Sequence, residues 1–348
     1  MNPYIMFILL FFLGLGTTMT FASSHWLLAW AGLEINTLAI IPLMSLEHHP
    51  RAIEATVKYF LTQATAAATL LFAALTNAWL TGQWDIQLLT HPVPTTMAIL
   101  ALALKLGLAP LHTWLPEVLQ GINLTAGLIL STWQKLAPMI LLVQIPHQNH
   151  ELLTTLAIAS TLVGGLAGLN QTQLRKIIAY SSIAHLGWMI IVLQFSPPLT
   201  LLTLLLYIVM TSALFITLTV TKTLNINKLS TSWAKMPLLT MIAPALLLSL
   251  GGLPPLMGFI PKWLILQELA KQELLAIATV TALSALLSLY FYLRLTYSLT
   301  LTMAPNNLAN TPSWRKAPAA TTTLMAPALT FTLMAMPITA AITSLIAT

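Results

Sequence analysis

The sequence predicts an all-α, polytopic membrane protein of about eleven transmembrane helices, built as two five-helix inverted repeats that contain broken helices. Three observations predict this. Hydrophobic residues make up 57% of the 348 and charged residues only 6%, whereas a soluble domain averages about 25% charged, so a soluble surface cannot be built from this chain. Apolar stretches long enough to cross a bilayer follow one another, separated by short polar, charged or Pro-rich connectors. A Gly and Pro pattern in one of those stretches recurs in a later one.

Spans are expected near residues 3–22, 26–46, 53–79, 95–118, 124–143, 151–170, 175–194, 199–221, 237–266, 274–298 and 321–346. Met1-Asn2-Pro3 runs straight into the first, with neither a basic n-region nor a small-residue cleavage site, so that helix is expected to be retained. No transit peptide is visible, which fits bacterial synthesis or translation inside the organelle that uses the protein. The Thr-, Met- and Leu-rich, Cys-free composition favours the organelle.

The connectors alternate sides. Arg51, Lys58, Arg175, Lys176, Lys222, Lys228, Lys235, Arg315 and Lys316 collect on the N-terminal side, and the other side has essentially Lys271. The positive-inside rule puts the N-terminus on the cytoplasmic or matrix side, and it explains the net charge of +6 better than a nucleic-acid partner does. The absence of cysteine excludes disulfides, iron–sulfur clusters and thiolate metal sites on this chain.

Laying Leu106–Glu117 on Gly251–Lys262 pairs Gly107 with Gly252, Pro110 with Pro255, Trp114 with Phe259 and Pro116 with Pro261, an offset of 252 − 107 = 145. Proline removes a backbone donor and clashes with the preceding turn, so both segments should be discontinuous helices. Lipid cannot satisfy the freed carbonyls, so the breaks should face the protein interior. They fall on the fourth and ninth spans, which run in opposite directions. This sets residues 1–143 opposite 149–298 as inverted repeats and leaves 299–348 as a connector and C-terminal span. Broken helices at matching positions of inverted repeats typify transporters, with the ion site near the midplane.

A charged side chain at a helix centre costs about 2.5–3.5 kcal/mol on insertion scales, so it is usually paired or lines a polar path. Glu34, in Trp30–Asn36, is a candidate buried carboxylate. Lys105 lies five residues before the first Pro, in the apolar run Ile99–Leu108, too deep to snorkel easily. Lys135 sits in Trp133-Gln134-Lys135, and Lys262 directly follows Pro261, opposite Glu117 in the repeat. Burial disfavours a charge and an opposite charge favours it, so a movable Glu34 and Lys105 pair could exchange protons as its spacing changes. The plainer readings are structural ion pairs and, for Lys262, snorkelling to an interface. His112 and His185 are possible proton relays, and each could equally be a satisfied polar residue. His48, His49, His147 and His150 read as solvated connector residues. No Walker loop, dinucleotide-binding glycine pattern or His pair at haem spacing is present.

On Trp30–Asn36, Leu104–Glu117, Ser131–Pro138, Arg175–Gly187 and Gly251–Lys262, the chain resembles the subunit 2 family of NADH dehydrogenase (ubiquinone), antiporter-like subunits of mitochondrial respiratory complex I. The resemblance covers essentially the whole chain. It implies that Glu34, Lys105, Lys135 and Lys262 form a mid-membrane charged chain that carries protons, with His112 and His185 at relay positions. It also implies a mitochondrial inner-membrane subunit of NADH:ubiquinone oxidoreductase. NADH, FMN, iron–sulfur clusters and ubiquinone are then handled elsewhere in the complex, and this chain holds no cofactor or metal. Partners would be the other membrane subunits, including antiporter-like subunit 4 and small subunits 4L and 6, with accessory subunits and the lipid bilayer, and no nucleic acid. Two departures stand out. The three additional N-terminal helices of bacterial relatives and the C-terminal extension of larger paralogues are not seen, and Val280 stands at the 145-offset counterpart of Lys135. A self-sufficient cation/proton antiporter is the alternative function, although lysines outnumber Glu34 and no Asp lies in a span. A scaffold whose charges only fix packing is a third.

Overall fold

A chain inside a bilayer must satisfy its backbone groups internally, and a continuous α-helix does so at every residue except those near its ends. The computed structural model describes residues 3–46, 48–146, 150–234, 237–301 and 321–334. The described residues are almost entirely helical, and they contain eight helices long and apolar enough to cross a membrane together with two shorter apolar ones. Contacts divide the chain into two compact units, Met1–Ser160 and Thr161–Thr348.

In the first unit α1 (Pro3–Ala22) packs along α2 (Trp26–Met44), followed by α3 (Pro50–Thr81) and α4 (Pro92–Leu106). The α1–α2 contact is close because it is made backbone to backbone. A Cβ on Gly32 would lie 2.8 Å from the Gly16 carbonyl oxygen, and one on Gly16 would lie 2.8 Å from that of Gly32. The ring nitrogens of His25 and His49 accept from Leu27 N–H and Arg51 N–H, each at 3.2 Å, and so cap α2 and α3. The short α5 (Trp114–Gly121) is tied to α3 by Lys58, which pairs with Glu117 and Glu54 at 2.8 Å each. α6 (Leu124–Thr132) and α7 (Leu136–Gln144) follow, and α8 (His150–Gly168) leads into the second unit.

The second unit continues with α9 (Leu174–Leu193), α10 (Pro197–Thr221), the short connector helix α11 (Ile226–Ser230), α12 (Pro237–Gly251), α13 (Phe259–Lys271), α14 (Leu275–Thr300) and α15 (Thr321–Met334). α9 is the most deeply buried of the long helices, and α1 turns most of its length outward. Serine and threonine are tolerated throughout because their hydroxyls return to a carbonyl one turn back, as Thr211 does to Tyr207 at 2.8 Å.

Each unit pins two of its connectors together in the same way. In the first, Trp26 N–H donates to Trp84 O at 3.0 Å and Ile86 N–H to Ser24 O at 2.9 Å. In the second, Leu174 N–H donates to Leu224 O at 3.0 Å and Ile226 N–H to Thr172 O at 3.3 Å. Each pair forms an isolated antiparallel bridge, His25 with Asp85 and Gln173 with Asn225.

The fourth and ninth expected spans are interrupted where the paired prolines put the breaks, between α4 and α5 and between α12 and α13. The fifth expected span, 124–143, is found as one span, Leu124–Gln144, within which an unforeseen 3-10 turn, Trp133–Lys135, separates α6 from α7. Pro138 contributes to it, because its ring excludes a normal bond to the carbonyl four residues back, that of Gln134. The connector helix α11 was not foreseen either. Of the last expected span, 321–346, residues 335–346 lie outside the described residues, as do His147, Lys235, Arg315 and Lys316.

Packing at the second break is tight enough to test. A Cβ on Gly258 would overlap the Ser249 carbonyl oxygen, whereas one on Gly14 would meet nothing within 4 Å. Gly258→Ala should therefore lower the thermal stability of the assembled protein by about 1–3 kcal/mol, the range for overpacking, and Gly14→Ala should leave it unchanged. Equal melting temperatures for the two variants would refute this packing.

Candidate functional site

A helix that ends inside a membrane leaves carbonyls that must find donors, and its C-terminus carries the equivalent of roughly half a negative charge. The two breaks solve this identically at the backbone. At the end of α4, Gly107 takes φ +79°, its N–H donates to Ala103 O at 2.9 Å, and Leu108 N–H donates to the same oxygen at 3.0 Å. At the end of α12, Gly252 takes φ +82°, its N–H donates to Leu248 O at 3.1 Å, and Leu253 N–H joins it at 3.3 Å. This is the glycine C-cap that requires a left-handed residue. The residues involved sit 145 apart (107 and 252).

Side chains complete the two caps differently. Trp114 Nε1 of α5 donates to Leu104 O at 3.0 Å. Lys262 Nζ of α13 donates to Gly251 O at 2.8 Å, which sets an ammonium on the C-terminal end of α12. Lys262 therefore turns inward to the break, not outward to an interface. Gly252 makes room for it: a Cβ there would come within 2.9 Å of the Lys262 tail.

Lys105 occupies the last turn of α4, where the helix end favours a cation. It is only 6% exposed, and its Nζ has no hydrogen-bond partner among the described residues. Glu34, half-buried on α2, lies within electrostatic range of Lys105 and of Tyr59 on α3. Its Oε2 is also without a partner among the described residues. No ion pair within 4.0 Å joins Glu34 to Lys105, so the structure brings the two together electrostatically but leaves the pair open. Tyr59 was not singled out in the sequence. It is 2% exposed and packs its ring 5.8 Å from that of Trp114, the residue that caps α4.

Lys135 ends the 3-10 turn between α6 and α7 and is 3% exposed. Its neighbours anchor the turn, Gln134 Nε2 donating to Asn36 O at 3.1 Å and Trp133 Nε1 to Leu13 O at 3.3 Å. His112 lies half-buried in the loop between α4 and α5, close to the Lys105 helix end in sequence. In the second unit His185 on α9 and Lys262 line one cavity with Trp188, Thr203, Tyr207 and Met210. All three lysines thus stand at helix interruptions inside the apolar region. Among the described residues, no group of three or more His, Cys, Asp and Glu is close enough to hold a metal ion.

Residues 23–288 match the family model for the transmembrane region of NADH:quinone oxidoreductase and Mrp antiporters, and residues 289–343 match that for the NADH dehydrogenase subunit 2 C-terminus. The chain is 71% identical over 315 residues to NADH-ubiquinone oxidoreductase chain 2 of Tetraodon nigroviridis, covering 90% of each chain. It is 66% identical to that of Oncorhynchus mykiss, covering 94% of this chain and 95% of the relative. A chain of respiratory complex I from Thermus thermophilus with bound aureothin superposes with a TM-score of 0.79 at 28% identity, covering 94% of this chain and 78% of that one. A chain of the Mrp complex from Dietzia sp. has the same TM-score at 16% identity, covering 97% of this chain and 75% of that one, a likeness of fold alone. With both family models end to end along it and relatives above 60% identity, the chain belongs to the NADH dehydrogenase subunit 2 family, the antiporter-like chain 2 of NADH-ubiquinone oxidoreductase.

Proposed function

We propose that this chain conducts protons through Glu34, Lys105, Lys135 and Lys262, with His112 and His185 as relays between fixed charges. The chain is a proton-translocating, antiporter-like, multi-pass membrane subunit of complex I, an NADH:ubiquinone oxidoreductase whose redox chemistry lies in other subunits. One observation carries the residue assignment. Each buried lysine stands at a helix interruption, Lys105 in the last turn of α4, Lys135 at the end of the 3-10 turn and Lys262 on the Gly251 carbonyl, where a helix end favours a cation. Lys262, held by a carbonyl, can lose its proton without leaving an unpaired carboxylate behind. The open Glu34–Lys105 pair adds an element whose charge state depends on spacing.

The subunit assembles with other subunits of complex I. Its finer placement belongs to the same proposal: the mitochondrial inner membrane, the N-terminus on the matrix side, and antiporter-like subunit 4, small subunits 4L and 6 and accessory subunits as neighbours. The basic connectors support the orientation. Two inverted five-helix repeats, 1–143 and 149–298, are supported by the shared glycine caps and by the bridge each unit makes between its own connectors.

The lysine assignment makes a functional prediction. In the intact complex reconstituted into liposomes, Lys105→Met should assemble normally and pump fewer protons per NADH oxidised. An unchanged ratio would sink the assignment and favour the packing role.

Stability separates the lysines further. Lys262→Met leaves the Gly251 carbonyl without its donor and should cost about 1–3 kcal/mol. Lys105→Met removes no hydrogen bond among the described residues, so its loss of stability should be the smaller of the two. Thermal unfolding of both variants checks the contrast, and a larger loss for Lys105→Met would contradict the geometry described here.

A further inference from the structure

α14 carries one arginine, and it stands on an outer stripe that the buried lysines do not use. Leu283, Leu286, Tyr290, Arg294, Tyr297 and Leu301 follow one another at three- and four-residue steps, so they share one face of the helix. All six are exposed. The arginine is nevertheless tied down: its Nη1 donates to Leu169 O at 2.8 Å, one residue past the end of α8. Two glycines let α8 come this close, because a Cβ on Gly165 would lie 3.0 Å from Leu287 and one on Gly168 2.9 Å from Phe291. A guanidinium has five N–H donors in a rigid fork, and the bond to Leu169 uses one of them. The rest belong to an exposed side chain with a tyrosine one turn to either side.

Depth and charge say what meets that guanidinium. Arg294 lies about 28 Å along the axis from Leu275, the first residue of α14, close to the roughly 30 Å of a bilayer's hydrocarbon. Lys271 and Glu273 precede Leu275 and mark one polar edge, so Arg294 stands at headgroup level on the other. Leu169 agrees, since it opens the connector that the Gln173–Asn225 bridge pins to its neighbour. That end of the unit also carries Arg175, Lys176, Lys222 and Lys228, whereas the acids from residue 161 onward, Glu268 and Glu273, both precede α14 at its opposite end. The leucines complete the picture: Leu283 lies about 16 Å from Arg294 toward the membrane centre, roughly the hydrocarbon depth of one leaflet.

We propose that Arg294, Tyr290 and Tyr297 bind the phosphate of an anionic phospholipid in the leaflet on the basic-connector side, with the acyl chains laid along Leu286 and Leu283. The guanidinium fork suits two phosphate oxygens, and the tyrosines place polar tips at headgroup level with their rings against the chains. The surrounding cations favour a lipid of net negative charge over a zwitterionic one. An arginine that merely anchored the helix would be free to snorkel and indifferent to the headgroup, whereas Arg294 is held in place by Leu169. A protein neighbour seated on the stripe would bury the guanidinium and would need its own carboxylate to meet it. A phospholipid brings the phosphate and the apolar chains in one molecule.

The test reconstitutes the intact complex into phosphatidylcholine vesicles that contain a small, equal share of phosphatidylglycerol or phosphatidylcholine bearing a photoactivatable headgroup. After illumination, mass spectrometry reads the label on peptides spanning Tyr290–Tyr297. Phosphatidylglycerol is expected to label them about fivefold more than phosphatidylcholine, the factor one basic residue contributes at an anionic leaflet, and added inorganic phosphate should not displace it. Arg294→Gln should bring the two lipids level, and Arg294→Lys, which keeps the charge, should retain part of the preference. Should Arg294→Gln assemble poorly, the double variant Tyr290→Phe with Tyr297→Phe leaves the bond to Leu169 intact and should still lower the preference. Equal labelling by both lipids in the parent, or an unchanged preference in Arg294→Gln, overturns the site. Displacement by inorganic phosphate would make it a free-anion site instead, and an unlabelled α14 beside labelled peptides elsewhere would mean that another subunit covers the stripe; either result also overturns the proposal.

Discussion

The rest of this structure depends on how a helix is allowed to stop inside a membrane. Each stop frees carbonyls that lipid cannot satisfy, and each leaves a partial negative charge. The protein stops α4 and α12 with the same left-handed glycine and the same pair of backbone bonds. It then spends the leftover acceptor strength on side chains, an indole at one end and an ammonium at the other. The presence of lysine in an apolar interior follows from this. A helix C-terminus is one of the few places there where a cation is stabilised without a carboxylate that would hold its proton permanently.

The same constraint accounts for the difference between the lysines. Lys262 reaches back along α13 to the end of α12 and is held by a carbonyl, so it is both a cap and a candidate carrier. Lys105 lies within the final turn of its own helix. Its amine has no hydrogen-bond partner among the described residues, and Glu34 lies within electrostatic range of it. A fixed amine and an unsatisfied one, in two units with the same backbone caps, suit a pathway in which protons pass between sites of unequal affinity.

Much of this was legible in the sequence, for identifiable reasons. Glu34, Lys105 and Lys262 stand out because a charge in an apolar run is costly, and the α4 and α12 breaks follow from two prolines six residues apart (110 and 116, 255 and 261). The turn at Lys135 was not legible. A lone proline does not decide the outcome: Pro42, Pro244 and Pro327 all lie inside unbroken helices, whereas Pro138 accompanies a 3-10 turn. The bridges between connectors are made by backbone atoms and carry no side-chain signal.

The polar atoms without partners at Glu34 and Lys105 are the stations that the proposed proton path requires water to join. The most direct measurement is a map of the assembled complex at a resolution that shows ordered water around Glu34 Oε2 and Lys105 Nζ, both buried and without protein partners among the described residues. The account predicts water hydrogen-bonded to both groups and continuous between them. A dry, apolar gap separating the carboxylate from the ammonium, with neither side chain able to cross it, would contradict it.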